Sequence, residues 1–320
     1  MNKNITLENI IQQNCINLLS HKNFGYRLIS KTQNFEFREN KTSSVLLKKI
    51  LIERLYEINS YEYKGQNYKF SASNIAKAVE DLDVSLNEGL IVANEKITNH
   101  LLLGTSYEEN LDDGTKKSFS FKYIDFDNTL NNHFYITEEF IVDRANQNES
   151  IKTRRPDLVL FVNGIPLVVI ELKKSSVSYE NGIKQLEKEQ KKDEIPHLFK
   201  FIQLTIAANS NEARYGTMGT PLKFYSLWKE EESEKAKAIL KTMITDREIS
   251  SLDETLFSLL AKDRFLRLIK DYTLFDKKVK KVSRYQQFFG IEKTLKRVEK
   301  ITDGIRAGGL IWHTQGSGKS

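Results

Sequence analysis

The chain has 320 residues, enough for a sizeable core and for two domains or one domain and part of another. Hydrophobic content of 39% and charged content of 29% describe an ordinary soluble globular protein, and a net charge of +6 permits a nucleic-acid partner without pointing to one. Cys15 is the only cysteine, which excludes an intramolecular disulfide and a cysteine-based zinc site; the five histidines show no metal-binding spacing, and no apolar run approaches the ~18 residues of a membrane span.

Taken in order, residues 6–20 read as an amphipathic helix, with Thr6 as N-cap and Leu7, Ile10, Ile11, Cys15, Leu18 and Leu19 at helical spacing. Glu8 falls in the first turn, where its charge suits the helix dipole. Residues 43–59 and 71–80 look helical, the second capped by Ser73 or Asn74, and a further helix over 89–103 is ended by Gly104. Over 106–142 the pattern changes. Phe119, Phe121, Tyr123 and Ile124, then Phe134, Tyr135, Ile136 and residues 140–142, predict two strands around an Asp/Asn-rich turn. The second of these would precede the next hairpin. Residues 143–153 are polar and read as loop, and Arg154 and Arg155 after them are either phosphate-binding groups or solvated charge.

Residues 154–174 read RRPDLVLFVNGIPLVVIELKK. Two apolar runs, 158–162 and 165–170, flank Asn163-Gly164, a pair that accepts the positive φ of a tight hairpin turn. With the turn centred there, Asp157 faces position 170 or 171, according to whether the loop holds two or three residues. Glu171 and Lys173 lie two apart and project from one face of their strand. Two carboxylates and an ammonium therefore converge at one end of an apolar hairpin. Buried charge of this kind is paired or binds a metal, and two carboxylates both ionise comfortably only beside a cation. Hard Mg²⁺ fits such oxygen ligands and takes substrate phosphate besides, with the lysine steadying developing charge. On the charges alone, an exposed salt bridge between Asp157 and Lys173 is the competing reading.

Residues 179–192 form a highly charged helical pattern that would pack back on the sheet and cross to a strand near 201–207. Residues 229–280 suggest connecting helices, at 231–243 and 253–270, with packing rather than chemistry as their role. Near the end, Gly309-Leu310-Ile311-Trp312-His313-Thr314-Gln315-Gly316-Ser317-Gly318-Lys319-Ser320 reads as an apolar strand entering a Gly-rich turn. Gly316 and Gly318 would let backbone N–H groups approach phosphates, Lys319 would reach the β and γ oxygens, and Ser320 would hold Mg²⁺. His313 stands where the strict phosphate-loop pattern has glycine.

Pro156-Asp157 followed by Glu171-Leu172-Lys173 resembles the PD-(D/E)XK nuclease signature. The words around it, Arg154-Arg155-Pro156-Asp157 and Asn163-Gly164-Ile165-Pro166-Leu167, resemble the restriction (motor) subunit of type I restriction–modification enzymes. Pro196-His197-Leu198-Phe199 and Arg214-Tyr215-Gly216-Thr217 extend the likeness to about Trp228. Thr314–Gln315 with the Gly-Lys-Ser turn resembles the first motif of superfamily 2 translocases. Arg284-Tyr285-Gln286-Gln287, three residues before Gly290 at Gln287, resembles the adenine-reading Q motif. The resemblance implies Asp157 and Glu171 as Mg²⁺ ligands, with the backbone carbonyl of Leu172 as another, and Lys173 as positioning or charge-stabilising group. It offers Glu8 as a further active-site acid, against a plain dipole or solvent-facing role. It also places Gln185 at the glutamine of a Gln-xxx-Tyr element, where it would contact DNA, order the lysine, or merely face solvent; Glu189 stands where tyrosine is usual.

The implied fold class is α/β. A PD-(D/E)XK nuclease-like central mixed sheet flanked by helices would occupy 1–228, a helical linker 229–280, and the start of a RecA-like motor 281–320. The implied function is a Mg²⁺-dependent endonuclease of a cytoplasmic type I restriction enzyme acting on double-stranded DNA. Its partners would be methyltransferase and specificity subunits, and ATP would drive translocation in the full-length protein. Without the helix after the phosphate loop, the chain itself is expected neither to bind ATP well nor to hydrolyse it. Two alternatives stand beside this: a nuclease–helicase fusion outside restriction, and a non-catalytic DNA-binding or assembly module.

Overall fold

A computed structural model describes residues 7–148, 150–302 and 305–311. Its centre is a six-stranded mixed sheet in which spatial and chain order coincide: β1 (Arg27–Ile29), β2 (Phe134–Glu138), β3 (Leu158–Val162), β4 (Ile165–Leu172), β5 (Leu204–Ala208) and β6 (Ala213–Gly216). The β1/β2 and β4/β5 pairs are parallel and the other three are antiparallel. β3, β4 and β5 are buried at every residue, which is why they read as continuous apolar runs rather than alternating ones.

The β3–β4 turn has Asn163 and Gly164 both left-handed, at φ 52° and 89°, the geometry that suits a two-residue hairpin. Asn163 is wholly buried: its Oδ1 accepts from the His133 N–H at 2.9 Å, and its Nδ2 donates to the Tyr123 carbonyl at 3.1 Å and Asn132 Oδ1 at 2.9 Å. Next to the turn the pairing is Ile165 with Val162 and Pro166 with Phe161. An irregularity at Leu167 then shifts it to Val168 with Leu160 and Ile170 with Leu158. Extended by one residue, that shifted register sets Asp157 opposite Glu171. The bulge decides between the two registers open from sequence.

The helices are α1 (Leu7–Ser20), α2 (Lys48–Ile58), α3 (Ala72–Asp81), α4 (Leu90–Leu103) and α5 (Tyr179–Glu189); α1 and α5 pack on the sheet, α3 packs on α2, and α5 forms the crossover between β4 and β5. The cap of α3 is Ser71, whose hydroxyl accepts from the Asn74 N–H; Ser73 and Asn74 lie inside the helix. The 106–142 region also differs from expectation. The strand Lys116–Phe121 pairs with Thr105–Asn110 in its own hairpin, while β2 joins the central sheet and stops at Glu138. The pairing keeps one more in-register bond, from the Glu139 N–H to the Asp157 carbonyl at 2.8 Å, and the left-handed backbone of Glu139 (φ 47°) then turns the chain out of the strand. Val142–Asp143 then pairs with Thr153–Arg154 in a separate ribbon, so the 143–153 loop is a closed excursion.

Residues 229–280 contain α6 (Ser233–Met243), α7 (Ser251–Leu259) and α8 (Lys262–Asp271), then a hairpin, Thr273–Asp276 with Val279–Val282, that sequence reading missed. α7 packs on α1, and Tyr26 Oη donates to the Leu260 carbonyl at 3.0 Å. One hydrophobic core runs from Ile11 through the sheet to Leu256, Leu268 and Phe288. The last long helix is α9 (Tyr285–Glu299). The expected strand at 309–312 does not form over 309–311; Leu310 and Ile311 are exposed, with no strand alongside them among the described residues. Thr6, the rest of that strand and the phosphate-loop residues Gly316, Gly318, Lys319 and Ser320 lie outside the described residues. Among those described, no helix is long and apolar enough to cross a membrane.

Candidate active site

The bulged register brings the hairpin's ionisable residues together at the open end of β3 and β4. Asp157 Oδ2 accepts from the Leu172 N–H at 2.7 Å. In a strand the N–H and C=O of one residue point to the same edge, so the Leu172 carbonyl also faces the Asp157 side. Glu171 is wholly buried at the end of an apolar strand; its Oε2 is 3.5 Å from Lys173 Nζ, its Oε1 meets no N–H or hydroxyl donor, and its carboxyl lies within hydrogen-bonding reach of the Asp157 carboxyl. Lys173 Nζ also donates to Gln185 Oε1 at 3.0 Å, and Gln185 Nε2 donates to Glu189 Oε1 at 3.1 Å. α5 comes this close because residue 182 is glycine: a Cβ there would lie 3.2 Å from the Ala207 Cβ and 3.5 Å from the Glu171 Cβ.

Burial raises the Asp157 pKa, opposed by the Leu172 N–H and the Lys173 charge. Burial also lifts Glu171 well above the usual carboxylate value, with the charges of Glu189 and Asp157 adding to the rise and Lys173 opposing it. Glu189, nearly as buried, is pushed up to about 7, chiefly by burial. An orphaned carboxylate oxygen in an apolar wall, beside a second carboxylate, fits a hard cation. Among the described residues no three His, Cys, Asp or Glu side chains are grouped to hold a metal between them. A cation here would therefore rest on Asp157, Glu171 and the Leu172 carbonyl, with waters or phosphate completing its shell, the ligand set Mg²⁺ tolerates well.

The other sequence candidates are placed variously. Glu8 Oε1 is 3.9 Å from Lys173 Nζ at the rim, while Gln12, one turn further along α1, donates to the Asp157 carbonyl at 3.2 Å. Arg154 is held by Glu194, with Nε to Oε2 at 2.6 Å and a second contact to Oε1 at 2.8 Å; Arg144 grips the same carboxylate at 3.0 Å. Arg155 is exposed, 3.4 Å from Glu139, which also pairs with Lys31. Gln287 lies elsewhere, its Oε1 accepting from the Arg284 N–H at the start of α9. It borders an open groove of about 1450 Å³ between β6, the Thr273–Val282 hairpin and α9, lined by none of the carboxylates above. Sequence reading missed Gln12, Glu194 and the link from Gln185 to Glu189; only the i, i+4 spacing of the last was visible in the chain.

The family described as type I restriction enzyme R protein N terminus matches residues 5–224, and the SWI2/SNF2 ATPase family matches 286–320. The "Putative type I restriction enzyme MjaIXP endonuclease subunit" of Methanocaldococcus jannaschii is 28% identical over 97% of this chain and 30% of its own length. The type I restriction enzyme HindI endonuclease subunit of Haemophilus influenzae is 28% identical over 98% of this chain and 29% of its own length. The chain thus spans roughly three-tenths of the relatives it matches. With more than half of its residues inside the first family match, the chain belongs to the type I restriction enzyme R protein N-terminal family.

Proposed function

We propose that this chain carries the Mg²⁺-dependent endonuclease centre of a cytoplasmic type I restriction subunit, built as a PD-(D/E)XK nuclease over 1–228. In the full-length protein a RecA-like motor beginning near residue 281 would couple cutting of double-stranded DNA to ATP-driven translocation. Methyltransferase and specificity subunits would complete the complex. The observation that carries the reading is Glu171, a fully buried carboxylate with one oxygen that meets no N–H or hydroxyl donor, against the Asp157 carboxyl and beside Lys173. A fold keeps so costly a group where a bound cation compensates it. What the relatives are named for agrees with this choice.

Asp157, Glu171 and the Leu172 carbonyl would hold the cation. When bound, it supplies positive charge to a phosphodiester oxygen and acidifies an attacking water. The chain's own contribution is orientation. The Leu172 N–H fixes the Asp157 carboxylate, leaving its other oxygen for a ligand role. Lys173 spends two contacts on Glu171 Oε2 and Gln185 Oε1, so its ammonium keeps one N–H for the attacking water or the phosphate. Exposed Arg155 is available to a DNA phosphate at the rim, whereas Arg154 organises the 143–155 ribbon through Glu194.

The test is ATP-dependent cleavage of unmodified plasmid by the assembled full-length complex. Asp157→Ala is expected to lower cleavage on the order of a thousandfold while translocation continues. Unaltered cleavage would sink the assignment.

A further inference from the structure

Glu189 occupies the position where the resembled nucleases have tyrosine, and its surroundings give it a job of its own. It is wholly buried, one helical turn after Gln185 on α5. Gln185 stands between an ammonium and a carboxylate: its Oε1 accepts from Lys173 at 3.0 Å, and its Nε2 donates to Glu189 at 3.1 Å. A primary amide has one accepting and one donating end, and rotating it by half a turn exchanges them with no change of shape. Turned the wrong way, it would aim its NH₂ at the ammonium, donor against donor. Lys173 alone prefers the carbonyl, but it also has Glu171 and Glu8 within reach and can swing toward either. The carboxylate of Glu189 removes that freedom from the far side, because it takes the NH₂ and so commits the carbonyl to Lys173.

Resting on the nuclease reading above, we propose that Glu189 is a positioning residue for cleavage, locking the Gln185 amide so that its carbonyl holds the Lys173 ammonium in place. The relay is short, and each member is fixed by backbone: Lys173 by its N–H to the Ala208 carbonyl at 2.8 Å, Gln185 and Glu189 by α5, and α5 by the close approach at Gly182. Glu189 reaches the site in two ways, through its hydrogen bond to the Gln185 amide and through its charge near Glu171, and the proposal concerns the first.

The experiment uses the assembled full-length complex and reads single-turnover plasmid cleavage, the Mg²⁺ concentration for half-maximal rate, and translocation. Asp157→Ala supplies the blank; wild type cutting no faster than that blank would overturn the nuclease reading and this proposal with it. Glu189→Leu fills the site without an acceptor and is expected to slow cleavage about ten- to a hundredfold, with translocation unmoved and any shift in Mg²⁺ dependence matched by Glu189→Gln, which removes the same charge from beside Glu171. Glu189→Gln keeps an accepting carbonyl and is expected to stay within about threefold of wild type by the same reasoning. Glu189→Met is a second acceptor-free variant should leucine prevent assembly. In a Gln185→Leu background, Glu189→Leu should cost nothing further. Two results contradict the proposal while leaving the nuclease reading intact. Acceptor-free variants cutting at the wild-type rate would make Glu189 mere packing. Glu189→Gln falling as far as Glu189→Leu would mean the charge, not the acceptor, is needed.

Discussion

Glu171 and Glu189 are buried carboxylates that each keep an oxygen without an N–H or hydroxyl donor, and such groups oppose the fold wherever they are ionised. Glu189, pushed up to about 7 mainly by burial, binds its proton in the folded state where the unfolded chain has already released it. Its contribution to stability therefore falls as pH rises from the ordinary carboxylate range to about 7, and is level above that. Glu189→Gln is expected to melt with the parent at pH 4 and to exceed it at pH 8 in metal-free buffer, by about 1–3 kcal/mol. His133 and His197, both held down to about 4 by burial, add an opposite slope in the mildly acid range. They are common to both proteins, so the difference between variant and parent reports Glu189 together with the Glu171 carboxyl its charge acts on; equal melting at both pH values would refute the burial argument. Asp157, Glu171 and Lys173 were legible in the chain because side-chain type and a period of two carry them. The capture of Arg154 by Glu194 and the reach of Gln12 to Asp157 were not, since these pairs lie 40 and 145 residues apart and no local pattern records them.

At the scale of elements, two glycines set the site. A Cβ on Gly164 would sit 2.8 Å from the Leu47 carbonyl and 2.9 Å from the Leu51 N, both backbone of the chain entering α2, and φ there is +89°. Gly164→Ala is expected to cost about 2–4 kcal/mol in denaturant unfolding, combining left-handed strain with the clash. Gly182 has ordinary helical backbone, so its constraint is proximity to the sheet. Gly182→Val should push α5 off Glu171 and Ala207, costing about 1–3 kcal/mol and lowering cleavage more than DNA binding. Retained cleavage would show that Gln185 need not sit so close. The Asn163-Gly164 hairpin announced itself in sequence because its residues accept positive φ cheaply. The Thr273–Val282 hairpin did not: its turn places Lys277 and Lys278 at φ 49° and 62°, positions where asparagine or glycine is the usual signal. The register was legible only to within one residue, because a bulge at Leu167 leaves no mark on an unbroken apolar run.

Over the whole molecule, residues read as connection turn out to be core. The late hairpin drives Lys280 into the protein, where its ammonium meets Asn94 Oδ1 at 2.8 Å, Thr98 Oγ1 at 3.2 Å and Gln203 Oε1. Burial among these neutral oxygens lowers its pKa well below the usual lysine value. Lys280→Met would leave the Asn94 oxygen unpaired, and is expected to destabilise the protein by about 2–4 kcal/mol despite removing a buried charge. A stability gain on unfolding would mean that desolvation of the ammonium outweighs its three contacts. Periodicity could place the helix at 231–243, but the one expected over 253–270 is two, α7 and α8, parted at Leu260 and Ala261, and periodicity could not say what they pack on, because a solvent-free stripe looks the same against any partner. The same contest between stability and chemistry bears on the central claim, that the buried carboxylate of Glu171 is kept for cutting DNA. Its most direct test is cleavage of unmodified plasmid by the full-length complex carrying Glu171→Gln, with translocation followed in the same reaction. Normal translocation is expected with cleavage reduced on the order of a thousandfold, while the metal-free variant melts higher than its parent. Cleavage within about tenfold of wild type would contradict it.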